Sequence, residues 1–274
     1  MSAALDLAGP AGLPLTRRGP FVRAVQALVI VFFVGAWEVL GQIGVLDKFY
    51  YSRPSLFIPR IVEWFAPGST AGDIWLDIRV TLTETVLGFV IGTALGLAIG
   101  YAFARSPLLG AAFDPLLSMF NAIPRLVLAP VFILAFGIDL ASKVALGVTL
   151  VFFIVFFATF AAVRDVDQTL VDNVRILGAR RRDVTFQVLL PAAFGAIVAS
   201  LRSSAGFAFA GAVVAEYIGS NAGLGRRIAT AEAFFDSTGV FGGIVLIALL
   251  ALLMDALLQV VEARASRWKP RRER

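Results

Sequence analysis

Any chemistry in this chain has to come from carboxylates, guanidiniums and hydroxyls, because its 274 residues include no histidine and no cysteine. That removes imidazole acid–base catalysis, thiol nucleophiles, disulfides and Cys/His metal sites. No catalytic residue and no metal site is expected. Two groups of charged residues stand out. Arg164, Asp165, Asp167, Asp172, Arg175, Arg180, Arg181, Arg182 and Asp183 crowd into residues 164–191, between two long apolar runs. Glu38, Glu84, Arg125, Arg202, Glu216 and Asp255 instead stand singly inside or beside apolar runs. The crowded group has the alternating charge of a surface that meets a soluble partner. The isolated group needs a separate explanation.

The elements that position these groups follow from composition. The chain is 59% hydrophobic and 16% charged, with mean hydropathy +0.86, which is too little polar surface for a soluble domain of this size. A helix needs about 20 apolar residues to cross the bilayer core. Six such spans are expected, near 23–45, 80–104, 112–137, 141–163, 193–215 and 239–261. Open sheet edges do not survive in lipid, so the fold class is an all-α polytopic membrane protein. Three segments result: a flexible cytoplasmic tail at 1–20, a transmembrane domain at 21–263 and a basic cytoplasmic tail at 264–274. The first apolar run lacks a signal-peptide cleavage pattern and is expected to stay as an anchor.

Lysine and arginine set the orientation. With the N-terminus inside, fifteen of them lie in cytoplasmic segments, among them the five of 164–191 and six of the C-terminal tail. Seven lie outside: Lys48, Arg53, Arg60, Arg79, Lys143, Arg226 and Arg227. Both termini and the 164–191 loop are therefore expected in the cytoplasm. The basic residues serve loops and tails of a membrane protein, and nucleic acid is not an expected partner. The outer segment 46–79, with Trp64 and Trp75, reads either as an amphipathic helix at the membrane surface or as a plain connector.

Gly88, Gly92, Gly96 and Gly100 recur every four residues in the second span, a stripe that lets another helix approach backbone to backbone. The stripe is expected to pack inside one bundle, with a dimer seam or a pore lining as the other readings. Pro115, Pro124 and Pro130 interrupt the third span, and each removes a backbone donor. Such breaks are tolerated where protein or water meets the freed carbonyls. Asn121 and Arg125 are thus candidates for the lining of a translocation path, with a plain proline-kinked helix as the other reading of the segment, and Arg202 in the fifth span is a further candidate. A charge within the bilayer is costly and marks either function or pairing. Arg125 and Arg202 could lend positive potential to the passage of an anion, or could pair with carboxylates or snorkel to the interface. Glu216, at the outer end of the fifth span, could shape a gate or cap its helix.

The loop 164–191 reads as an elbow of two short helices. In residues 169–177, Leu170, Val174 and Leu177 share a face, with Val171 nearby, and Asp172 can pair with Arg175 three residues on. Gly178 permits a sharp turn out of the helix. A second helix then runs from Arg181 to Leu190, with Val184, Phe186 and Val188 apolar, and Pro191 closes it and opens the next span.

The spacing D-N-V-x3-G-x9-V-x-L-P, from Asp172, Asn173 and Val174 through Gly178 to Val188, Leu190 and Pro191, resembles the E-A-A-x3-G-x9-I-x-L-P loop of ABC importer permeases. It departs at the first three positions, where Asp, Asn and Val stand for Glu, Ala and Ala. The flanks are similar to the nitrate/sulfonate/taurine-type branch: SRPS at 52–55, TLTETVLGFVIG at 81–92, PRLVLAPVFILAFGIDLASK at 124–143 and LRSSAGFAFAGAVVAEYIGSNAGLG at 201–225. The resemblance covers roughly residues 50 to 268 and implies a type I ABC importer permease fold in a bacterial inner membrane. It also implies a homodimer of permeases, two cytoplasmic ABC ATPase subunits that receive the loop around Asp172 and Arg175, and an extracytoplasmic solute-binding protein. No GxxxxGK[ST] phosphate loop occurs in the sequence, so the chain is expected to bind no cofactor of its own and to rely on a partner that uses ATP. A gradient-driven secondary transporter is a second reading, but it calls for mid-membrane polar pairs and an inverted repeat, and neither is found. A non-transporting membrane scaffold is a third.

Overall fold

The computed structural model describes residues 18–47, 49–68, 72–106, 108–110, 112–113, 119–120 and 123–265. The helices are α1 (Arg18–Gln42), α2 (Pro54–Phe65), α3 (Ile74–Arg105), α4 (Ala129–Phe136), α5 (Leu140–Arg164), α6 (Gln168–Ile176), α7 (Arg181–Ile218), α8 (Leu224–Ala233) and α9 (Ser237–Ala265). A 3-10 turn, Arg125–Leu128, leads into α4. There is no strand among the described residues. Five helices among them are long and apolar enough to cross a membrane: α1, α3, α5, α7 and α9.

The expected third span, 112–137, is not one continuous helix among the described residues. Its described C-terminal part is the 3-10 turn followed by the 8-residue α4. Pro124 caps the turn and Pro130 sits in the first turn of α4, where a missing N–H costs least. The remaining helices differ from expectation at their ends. Helix α3 begins at Ile74, with the Asp73 carboxylate accepting from the Trp75 and Leu76 amides at 2.9 and 3.2 Å, so Trp75 belongs to this helix and not to a separate surface segment. Residues 46–79 do hold an amphipathic helix, α2. Its Phe57 and Trp64 are buried, and Trp64 joins Ile74, Leu224 and Leu246 in a cluster that binds α2 to α3, α8 and α9.

The core lies where α3, α5 and α7 meet. Val151, Val155 and Ala208 are fully buried there. The glycine stripe of α3 faces α5: a Cβ on Gly92 would stand 2.7 Å from Val151 Cβ, and one on Gly100 would stand 2.7 Å from the Phe156 carbonyl oxygen. Backbone contact of this kind holds a helix pair together in lipid, where no hydrophobic effect drives association. Helix α1 is largely exposed along its length. Its C-terminal end is fastened by Trp37, which donates to the Ser52 carbonyl at 2.8 Å, and by Glu38, which accepts from the Ser55 hydroxyl and amide at 2.7 and 2.9 Å.

Candidate functional site

The elbow is built from its caps inward. The Asp167 carboxylate accepts from the Thr169 amide at 2.8 Å and starts α6. Hydrogen bonds from Thr169 hold the Asp167 carboxyl below the usual carboxylate range. Helix α6 ends at Ile176, and Gly178, two residues on, reverses the chain with a φ of +87°. The Gly178 and Ala179 amides close onto the Arg175 and Val174 carbonyls at 2.9 and 3.2 Å. The Asp183 carboxylate then accepts from the Arg180 amide at 2.9 Å at the start of α7.

Here the structure corrects two readings. Pro191 does not close a second short helix. The chain passes from Arg181–Val184 through a π-helical stretch, Thr185–Leu189, directly into the span. Pro191 has no N–H to give and its ring crowds the preceding turn, and the widened π turn just before it accommodates both. The elbow's second arm is therefore the membrane helix itself. The apolar face of α6 is also rotated from expectation. Val171 is buried and Val174 packs beside it, whereas Leu170, Ile176 and Leu177 are 52%, 83% and 85% exposed.

Val171, Val184 and Leu189 join Val163, Ala193 and Ile197 in one core that includes the ends of α5 and α7, and Leu97, Tyr101 and Ala104 of α3 pack against it. Tyr101 adds a 2.6 Å hydroxyl–hydroxyl hydrogen bond to Thr185. A push on the elbow thus bears on three spans at once. The side chains of Asp172 and Arg175 pair at 3.1 Å on the solvent side, both more than half exposed, which contributes little stability. Asn173 is exposed in α6, Val188 is half-buried against the elbow core, and Leu190 continues the helix beyond it.

At the opposite end of the bundle lies a buried polar knot that sequence reasoning missed. Asp77 takes two hydrogen bonds from the Arg227 guanidinium, at 2.6 and 2.9 Å, and one from the Gly223 amide at 2.8 Å. Glu216, fully buried, accepts from the Thr81 hydroxyl and the Gly225 amide, both at 2.7 Å. Glu84 lies against Glu216 and Lys143, and the buried Lys143 ammonium donates to the Ile138 carbonyl. Glu216 is thus tied inside the knot instead of capping a helix end. A signal was present in the sequence: Asp77, Thr81 and Glu84 fall on one helical face at steps of four and three. Asp77 and Thr81 find their partners Gly223, Leu224 and Arg227 at the start of α8, as far as 150 positions away, so nothing local pointed to them.

The structure separates the remaining path residues. Asn121 lies outside the described residues. Arg202 forms a two-pronged pair with Asp255 of α9, at 3.1 and 3.3 Å. Arg125 stands over the Phe153 ring at 4.5 Å and lines a cleft between the 3-10 turn, α5 and α7.

The glycine elbow packs against three spans and ends in exposed apolar side chains. Residues 88–267 match the family described as "Binding-protein-dependent transport system inner membrane component". The chain belongs to this family. It is the membrane-spanning permease subunit of an ABC importer. It is 33% identical over 242 residues to the putative aliphatic sulfonates transport permease protein SsuC of Bacillus subtilis, covering 88% of this chain and 86% of that one. It is 32% identical to the riboflavin transport system permease protein RibX of Chloroflexus aurantiacus, covering 94% and 98%. The taurine transport system permease protein TauC of Escherichia coli is 26% identical, with 92% of each chain covered. Among solved structures, an inward-facing conformation of the MetNI methionine ABC transporter matches with a TM-score of 0.60 at 20% identity, covering 71% of this chain and 96% of that chain. At that identity the match supports the type I importer permease fold alone. The permease is thus a multi-pass protein of the inner membrane.

Proposed function

We propose that this permease carries a small anionic solute across the inner membrane as a homodimer, with two cytoplasmic ATPase subunits and an extracytoplasmic binding protein that delivers the solute. ATP is used by the partner, and this chain binds no cofactor and makes or breaks no covalent bond. Both termini and the elbow face the cytoplasm, in keeping with the excess of arginine there. The observation that carries the reading is the elbow: Ile176 and Leu177 stand exposed at the tip of a hard turn whose inner face is core. Burying two such side chains in a groove contributes about 1.5–3 kcal/mol each, enough to hold a partner and too little to make the site permanent. Motion of the ATPases on nucleotide binding would be passed through Val171 and Val184 to α3, α5 and α7, turning the path from one face of the membrane to the other.

The names of the relatives span sulfonates, taurine and riboflavin, so charge within the path bears on the choice of solute. Arg125 on the cleft is the feature that favours an anion. The test is reconstitution of the permease with its ATPase and binding protein in liposomes. ATP-dependent accumulation of a labelled short-chain sulfonate or carboxylate is expected. Absence of uptake across such a panel, together with no ATP hydrolysis stimulated by the binding protein, would overturn the proposal.

A further inference from the structure

The face of α3 turned away from its glycine stripe carries an open groove with a volume of about 660 Å³. From the start of the helix inward, its walls include Asp73, Trp75, Arg79, Leu82, Val86 and Leu87. Positions 75, 79, 82 and 86 follow at steps of four, three and four, which is one stripe down a helix. The Phe65 ring meets the Trp75 ring edge-on at 5.2 Å and holds it, yet Trp75 stays 64% exposed. A tryptophan presented in this way marks the level of the membrane surface. At about 1.5 Å per residue, Leu82 and Val86 lie about 10 and 16 Å further along the helix, among acyl chains.

Two charges stand at the head of this stripe in a fixed order. Asp73 is outermost. Its Oδ1 accepts from the Trp75 and Leu76 amides at 2.9 and 3.2 Å, and its Oδ2 has no hydrogen bond among the described residues. Arg79 comes next, exposed, and its guanidinium has no hydrogen bond, ion pair or ring contact among the described residues. The Cα–Cβ bond of a helical residue tilts toward the N-terminus of its helix, so Arg79 leans back toward the surface while its stem lies on apolar neighbours. The Thr83 hydroxyl beside it is satisfied by the Arg79 carbonyl at 2.7 Å. The groove therefore offers a carboxylate oxygen, then a guanidinium, then an apolar strip. A phospholipid with a primary ammonium headgroup has the complementary order from water inward: ammonium, phosphate, acyl chain.

We propose that this groove is a binding site for an ethanolamine phospholipid, in which Arg79 takes the phosphate, Asp73 takes the ammonium, and an acyl chain lies along Leu82, Val86 and Leu87. A guanidinium matches two phosphate oxygens at once. A choline headgroup has no N–H to give Asp73, and a glycerol headgroup has no positive charge to set against it. A second copy of the chain fits the face less well. Two copies of α3 meeting here across a two-fold axis would bring Arg79 toward Arg79. Helix α1, also apolar and largely uncovered, has Glu38 as its one carboxylate, and Glu38 is already bonded to Ser55 and Gln42.

The test is native mass spectrometry of the full-length permease in detergent, titrated with dioleoyl phosphatidylethanolamine, phosphatidylcholine and phosphatidylglycerol in turn. The ethanolamine lipid should bind about fivefold more tightly than either of the others, the scale of a charged hydrogen bond at a partly exposed site. Arg79→Gln and Asp73→Asn should each bring it to the level of the choline lipid with the melting temperature unchanged, because Arg79 holds no other group and asparagine keeps the helix cap. Equal binding of the three lipids, or a preference that survives both variants, overturns the site. Phosphatidylglycerol bound as tightly as phosphatidylethanolamine overturns it too, since Arg79 would then read phosphate alone. A second measurement leaves both charges in place. The chain has no cysteine, so benzophenone attached at Val86→Cys is the only label, and irradiation in phosphatidylethanolamine-containing membranes should give a phospholipid adduct. A permease–permease adduct would instead show that a second copy covers this face. None of these outcomes depends on which solute the permease carries.

Discussion

Asp77 and Arg227, 150 positions apart in the chain, meet at 2.6 Å with both side chains about nine-tenths buried. The pair joins α3 to α8, and Arg227 also lies over the Trp64 ring at 5.1 Å, so α2 is drawn into the same joint. One end of the bundle is thus locked by charge while the elbow end is locked by apolar packing. Breaking a buried pair from one side leaves an uncompensated charge and costs about 3–5 kcal/mol. Asp77→Asn and Arg227→Met should each lower the melting temperature of the detergent-solubilised permease. The double variant Asp77→Asn/Arg227→Met should lose less than the two single losses added together. Strict additivity would show that the two side chains are not coupled.

The glycine stripe gives a graded prediction. A Cβ on Gly96 would lie 2.9 Å from both the Phe152 carbonyl oxygen and Val155 Cβ, whereas one on Gly35 would meet nothing within 4 Å. Overpacking of this kind costs about 1–3 kcal/mol. Gly96→Val should therefore reduce the monodisperse fraction in fluorescence-detected size exclusion. Gly35→Ala should be neutral or gain about 0.5–1 kcal/mol of helix stability. A well-behaved Gly96→Val protein would mean that α3 and α5 can separate without penalty.

Gly178 is needed for its backbone and not for space, since a Cβ there would touch nothing within 4 Å while φ is +87°. Left-handed backbone costs an L residue about 1–2 kcal/mol, and asparagine tolerates it best. The expected order of uptake is wild type, then Gly178→Asn, then Gly178→Ala, with Gly178→Val abolishing transport while the protein stays in the membrane. Full transport by the valine variant would remove the elbow from the mechanism.

The cap of α6 titrates in a known direction. Asp167 is held below the usual carboxylate range by Thr169, so its contribution is fully present above the ordinary carboxylate pKa of about 3.9. It is lost as pH falls through the still lower value of the folded protein. Between pH 5 and pH 8 the elbow should keep its cap, and protection of the α6 amides in hydrogen exchange should not change over that interval. Asp167→Ala should lose that protection at every pH.

The fold was legible wherever one segment carried its own signal. The spans of α5 and α9 came from hydropathy, and Gly178 came from the break between two amphipathic stretches. The break in the third span was legible in Pro124 and Pro130, whereas its form, a 3-10 turn leading into an 8-residue helix, was not, because hydropathy counts apolar residues and carries no backbone geometry. Pro191 reads as a stop in the sequence because a proline within a helix usually ends it. The π turn at Thr185–Leu189 that lets the helix continue is met by Tyr101 from α3, a contact no local pattern reveals. The knot around Asp77 was hidden for a related reason. Half of it comes from a glycine-rich loop whose amides, not side chains, are the donors. Arg227 registered only as a charge outside the membrane.

If the elbow tip is the docking surface proposed above, substitutions there separate recognition from folding. Ile176 and Leu177 are 83% and 85% exposed, whereas Val171, five and six residues before them, is 1% exposed. Placing a charge at the tip removes apolar area that a partner would cover, at about 25 cal/mol per Å², and disturbs nothing inside this chain. Leu177→Asp and Ile176→Asp should therefore leave the melting temperature of the isolated permease unchanged and release the ATPase during co-purification. Val171→Asp should instead bury an unpaired carboxylate in the core shared with Val163, Val184 and Leu189, and lower the melting temperature itself. Asp172→Ala removes only an exposed pair with Arg175 and should also spare stability. Retention of the ATPase by the Leu177→Asp/Ile176→Asp double variant would move the docking surface away from the elbow tip.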